Sequence, residues 1–152
     1  MALSLTINNK VYTTKPSFAM AKYANETYGT FIEQTGKYAQ GVETILSGVL
    51  EESIESIVNY YDSTLSHYGK ERPTITDIEA ALEARIDELD DTAPLFKEIY
   101  QELSTSGFFA STTKKYWKNL ELMKDFGKTE EEKAQNKQAY KYMIERKTEI
   151  EA

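Results

Sequence analysis

The chain opens on a two-residue alternation and then changes to a three- and four-residue spacing that it keeps almost to its end. Leu3, Leu5 and Ile7 alternate with Ser4 and Thr6, Asn8-Asn9 tolerates positive φ, and Val11-Tyr12-Thr13-Thr14 resumes a β-prone run. That pattern predicts a short hairpin. Two strands do not stand alone in water, so their apolar side must pack on helices, and Pro16-Ser17 closes the strand region. Phe18, Ala21, Ala24 and Tyr28 then mark a helix over 17–28, closed by Gly29 in a left-handed conformation. A second helix is expected over 37–46, with Tyr38, Val42, Ile45 and Leu46 inside and Ser47-Gly48 as its interruption.

The clearest helical stripe is Ile54, Ile57, Val58, Tyr61, Leu65 and Tyr68, an unbroken run over about 18 residues. Glu51 and Glu52 stand at its positive end, and Gly69 stops it. Pro73 cannot continue a preceding helix, Thr76 is the expected N-cap, and Glu79 completes a capping box, so the next helix starts near Asp77. Ile78, Ala81, Leu82, Ile86 and Leu89 line its inner side, with Glu79, Glu83 and Asp87 outside. Asp90-Asp91-Thr92-Ala93-Pro94 suits another helix start, carrying Leu95, Ile99 and Leu103 to an end within 104–107. Phe108 and Phe109 follow, then Tyr116, Trp117, Leu120 and Met123 on a further helix, with Gly127-Lys128 as a break. Thr129 and Glu132 form a capping box for the charged tail, whose sizeable apolar groups are Tyr140, Tyr142, Met143, Ile144 and Ile150. Such a tail is either a helix exposed to water on most sides or a segment ordered by a partner. The fold class is therefore mostly α (α+β), a helical domain with a short N-terminal β-hairpin. Its expected division is a core over 1–109 and a helical extension over 110–152.

A chain of 152 residues can bury a core of its own, and without a cysteine it has neither disulfides nor thiolate sites. That fits a reducing compartment. Met1-Ala2-Leu3-Ser4-Leu5-Thr6 has no basic n-region and no apolar run of signal-peptide or membrane-span length, so the expectation is an unprocessed soluble chain. The net charge of -7 is unevenly spread: residues 1–50 carry 4 basic and 3 acidic groups, 51–104 carry 4 and 14, and 105–152 carry 10 and 8. An acidic middle repels a phosphate backbone, which argues against nucleic acid and favours basic or apolar helical partners. The same acidity also serves as a plain solubilising face.

Catalytic chemistry finds little to build on. His67 is the single histidine and sits near a helix end, where a structural role suits it. Asp87, Glu88, Asp90 and Asp91 lack the glycine and spacing of an EF-hand loop and read as a solvated helix junction. Gly127-Lys128-Thr129 resembles the end of a Walker A loop, but position 122, where its first glycine belongs, is Leu. No cofactor, metal site or enzymatic activity is expected; a carboxylate-dependent hydrolase would need an acidic cleft that no motif marks. The aromatic group Phe108, Phe109, Tyr116 and Trp117 lies where the compact part meets the charged tail. It reads either as a docking surface or as ordinary packing of the last helix.

The hairpin Leu5-Thr6-Ile7-Asn8-Asn9-Lys10-Val11-Tyr12, the helix end at Tyr28-Gly29, the segment Gly41-Val42-Glu43-Thr44-Ile45-Leu46 and the run from Arg72-Pro73-Thr74 to Glu83 together resemble the tail assembly chaperones of long-tailed bacteriophages, over about residues 3–109. The resemblance implies a non-enzymatic late protein that acts in the host cytoplasm and is absent from the mature virion. It implies as partners the tape measure protein, whose aggregation-prone helices it shelters, and the major tail tube protein, which it recruits. It implies neither membrane nor nucleic acid, and it leaves room for weak self-association. Many such proteins also exist as a longer frameshifted product. On this reading Phe108, Phe109, Tyr116 and Trp117 receive the tape measure segment. The alternative is an acidic helical adaptor or inhibitor that masks a basic partner, and salt separates the two, because charge masking collapses as ionic strength rises while apolar burial persists.

Overall fold

The alternation at the start of the chain forms a hairpin: in the computed structural model, which describes residues 2–152, β1 (Ser4–Ile7) pairs antiparallel with β2 (Lys10–Thr13). Asn8 and Asn9 take φ of 51° and 67° at the turn. Leu5 and Ile7 are buried, as the need for a helical backing requires, while Val11 on β2 stays exposed. Helix α1 (Phe18–Tyr28) follows, its first turn capped by the Ser17 hydroxyl, which accepts from the Met20 N–H at 3.1 Å. Gly29 ends it in extended backbone at φ -85°, not in the expected left-handed conformation. A side chain there would collide with the carbonyl oxygens of Ala39 and Asn25, so close approach explains the glycine.

The expected helix over 37–46 is corrected at its front half. Lys37–Ala39 is strand β4, paired antiparallel with β3 (Thr30–Ile32), and helix α2 (Gly41–Leu50) starts only after Gln40, at φ 65°. Strands of three residues are too short to show an alternation, and Tyr38 pairs across the hairpin with Phe31 at 5.1 Å between ring centroids, not with the helix. Ser47-Gly48 does not interrupt α2 either. Ser56 of the next helix packs so close that a Cβ at Gly48 would lie 2.7 Å from its Cβ, so this glycine serves packing between helices.

Helix α3 (Ile54–Thr64) is shorter than its stripe, which runs on into a 3₁₀ segment, Ser66–Glu71. The Thr64 hydroxyl bonds back to the Tyr60 carbonyl at 3.0 Å, and tightening beyond it turns His67 and Tyr68 toward the first hairpin. There the Thr13 N–H donates to the Tyr68 hydroxyl, and His67 Nε2 lies 2.8 Å from the Thr13 carbonyl oxygen. Helix α4 (Ile75–Leu89) starts two residues before the expected place: Thr74, directly after Pro73, caps it by accepting from the Asp77 N–H at 3.2 Å. Thr74 and Thr76 both head a Thr-x-x-acid run, and the one nearer the proline acts. Ile78 and Leu82 are buried, Ala81 and Ile86 half-buried, and Leu89 exposed.

Helix α5 (Ala93–Thr105) begins with Pro94 in its first turn and buries Leu95, Phe96, Ile99, Tyr100 and Leu103. It is the hub of the fold, packing against α2, α3, α6 (Ala110–Met123) and α7 (Glu130–Glu151). Thr129 caps α7 by accepting from the Glu132 N–H at 3.1 Å, and Glu132 accepts in turn from the Lys128 N–H at 2.7 Å. One continuous core runs from Leu5 in the hairpin through α5 to Trp117 on α6 and Ile150 on α7.

Two buried carboxylates pin the elements to each other. Asp62 on α3 accepts from the Tyr23 and Tyr28 hydroxyls of α1 at 2.8 and 2.6 Å and pairs with Arg72, whose guanidinium also lies over the Tyr23 ring. Glu102 on α5 accepts from the Tyr60 hydroxyl and from Thr14 just beyond β2, at 2.8 Å. Each carboxylate is thus satisfied where an isolated one would be costly.

Candidate functional site

His67 fastens the hairpin to the end of α3. Asp87, Glu88, Asp90 and Asp91 point into solvent at the α4–α5 junction, and among the described residues no three His, Cys, Asp or Glu side chains gather as metal ligands. No described helix is long and apolar enough to cross a membrane. What distinguishes the surface is apolar exposure.

The four aromatic residues singled out in the sequence fall into two pairs on the same helical arm. Phe108, in the turn before α6, is 44% exposed, and Phe109 beside it is buried with its ring 5.9 Å away. Phe109 packs inward because it leads α6 into the core, its carbonyl accepting from the Thr113 N–H at 2.9 Å. One helical stretch on, Tyr116 is half-buried and Trp117 is buried, their rings 5.4 Å apart. Trp117 Nε1 donates to the Tyr100 hydroxyl at 3.0 Å, and that hydroxyl donates to Glu151 at 2.7 Å. Burial pushes the Tyr100 hydroxyl above its ordinary range, and the bond to Glu151 adds to this. Burial likewise raises Tyr116.

Phe18 is the residue that periodicity misplaces. It shares the helical spacing of Ala21, Ala24 and Tyr28, yet it is 82% exposed, and its ring meets Phe108 edge to face at 4.9 Å. Its position at the first residue of α1 carries the signal: a side chain there projects beyond the helix body, before the stripe of Ala21 and Ala24 meets its neighbours. Phe18 and Phe108 form an aromatic ledge beside a cleft of about 300 Å³ lined by Thr14, Lys15, Pro16, Ser106 and Gly107. A second opening of about 870 Å³ lies between Glu51, beyond the end of α2, and the Ala134, Ala139, Tyr142 and Met143 face of α7. Leu122, Met123, Phe126 and Tyr142 are also more than half exposed near the α6–α7 turn and along α7.

The exposed side chains offer apolar area for another chain, and Glu79, Glu83, Asp87 and Glu88 make the outer face of α4 acidic. Compared with known families, residues 4–118 match the one described as phage tail assembly chaperone protein, TAC. No curated protein and no solved structure matches the chain.

Proposed function

The chain belongs to the phage tail assembly chaperone family, and we propose that it holds the tape measure protein during tail assembly and helps recruit tail tube subunits to it. The observation that carries this reading is the ledge of Phe18 and Phe108, two large aromatic rings that meet edge to face in water. Exposed aromatic area of this kind serves as an anchor for a partner helix. An acidic exterior keeps the loaded complex soluble, and a shallow cleft suits binding that assembly can reverse. The protein works as a holdase without a chemical step, acts in the host cytoplasm and leaves before the virion is complete. Residues 1–109 form the chaperone core on this reading, and 110–152 carry the arm that completes its binding face.

The test is binding of the phage's own tape measure protein to Phe18→Ala/Phe108→Ala. Each truncated anchor is expected to cost about 1–2 kcal/mol of binding, so affinity falls at least about tenfold. The thermal midpoint should stay close to that of the parent chain, because both rings are exposed. Unchanged affinity removes the ledge from the site. Binding that vanishes in high salt instead supports the acidic adaptor reading.

A further inference from the structure

Helix α7 touches the body along its length, Asn136 donating to the Phe126 carbonyl and Met143 packing against the core, but its buried residue, Ile150, lies near its C-terminal end. Arg146 Nε donates to the Leu50 carbonyl at the end of α2 at 2.8 Å and its guanidinium reaches Glu52 at 3.4 Å. Ile150 is buried in the core, and Glu151 accepts from Tyr100 on α5. Lys147 places its ammonium over the Trp117 ring on α6, 5.4 Å from the centroid. Earlier in the helix the packing opens into the apolar cleft beside Glu51, and the family match stops at residue 118, before α7 begins. The seat is thus made by elements the family match covers, and its occupant comes from outside that match.

The seat has a readable chemistry. The C-terminal end of α2 presents an unpaired carbonyl and the negative end of its dipole beside Glu51 and Glu52, which selects a basic side chain. One helical turn further along the guest, the core beside α5 receives an aliphatic side chain, and the Tyr100 hydroxyl donates to an acidic group directly after it. Arg146, Ile150 and Glu151 meet these demands in order, at steps of four and one.

We infer that this seat is a docking site for an amphipathic helix of the partner protein, and that α7 occupies it in cis until such a helix displaces it. The inference rests on the chaperone reading for the partner's identity, a tape measure segment carrying a basic residue, an aliphatic residue four places on and an acidic residue next. It explains why Trp117 is covered: Lys147 of α7 lies over its ring, while Phe108 at the start of the arm stands open. A guest helix that makes the same three contacts competes with α7 for the seat.

The test uses the full chain and a peptide of residues 129–152 as probe. Arg146→Glu/Ile150→Asp should release α7, read as a shift in emission of the single tryptophan, Trp117, and as faster amide exchange in α7. An α7 seated about nine-tenths of the time lowers apparent affinity about tenfold, so the released variant should bind the peptide at least that much more tightly than the parent chain. The tape measure protein should compete with the peptide. Ile150→Ala, a milder change confined to α7, should shift the same readouts in the same direction. Equal peptide affinity for parent and variants, or emission and exchange that do not change, overturns the inference. If tape measure binding is equally tight in all of them and the peptide does not compete, the seat is lost and the chaperone reading stands. If the peptide behaves as expected but no tape measure protein binds, the seat stands and the chaperone reading fails.

Discussion

At the scale of single residues, the Asp62 cluster shows what periodicity sees and what it overlooks. Arg72 stood out in the sequence as the first letter of Arg72-Pro73-Thr74, read there as the approach to a helix. In the fold its guanidinium pairs with Asp62 ten residues earlier and covers the Tyr23 ring, 4.2 Å from the centroid. Asp62 could not be singled out, because a stripe of apolar residues is silent about the polar group standing among them. Removing this carboxylate leaves Arg72 without its anion and two tyrosine hydroxyls without an acceptor. Asp62→Ala should therefore cost about 3–5 kcal/mol, the range for breaking a buried ion pair on one side, seen as a lower urea midpoint at unchanged slope. The aromatic surface was legible to the same degree. Trp117 and Phe109 stood out in the sequence, but the choice between docking and inward packing stayed open, since helical spacing alone does not say which neighbour arrives.

At the scale of elements, long helices with strong stripes were read to within a few residues, and errors gathered where chain geometry overrides local pattern. Helix α5 matches its expected start and its inner residues Leu95, Ile99 and Leu103. The β3–β4 hairpin was missed because three-residue strands carry no periodicity, and the end of α3 was overrun because the apolar stripe continues smoothly into the 3₁₀ segment. Gly48 gives a sharp case with two opposing effects. Alanine in a helix interior gains about 1 kcal/mol over glycine from propensity. Here its methyl group would stand 2.7 Å from the Ser56 Cβ, and forcing α2 and α3 apart costs about 1–3 kcal/mol. Packing wins, so Gly48→Ala should lower the thermal midpoint, whereas propensity alone would raise it.

At the scale of the whole molecule, the fully buried tyrosines Tyr60 and Tyr61 set a limit on alkaline stability. Burial raises both hydroxyls well above their ordinary value of 10.0, with Glu102 adding to the shift at Tyr60. Above about pH 10 the unfolded chain releases these protons and the folded chain keeps them, so stability is complete below that pH and falls as it rises. Each of the two removes about 1.4 kcal/mol per pH unit. Denaturant midpoints measured from pH 8 to 11 should hold level and then drop, and absorbance should show these tyrosines ionising together with unfolding. Midpoints that stay level to pH 11 would show that the two hydroxyls titrate normally. The β3–β4 turn has a different use. Gly36 sits at its tip at φ 68° with open space around it, and both strands are held by their own ladder. A small reporter, a dye-bearing loop or an epitope, can be spliced in at that tip and will leave both the aromatic ledge and the α7 seat free, so that assembly can be watched as it happens.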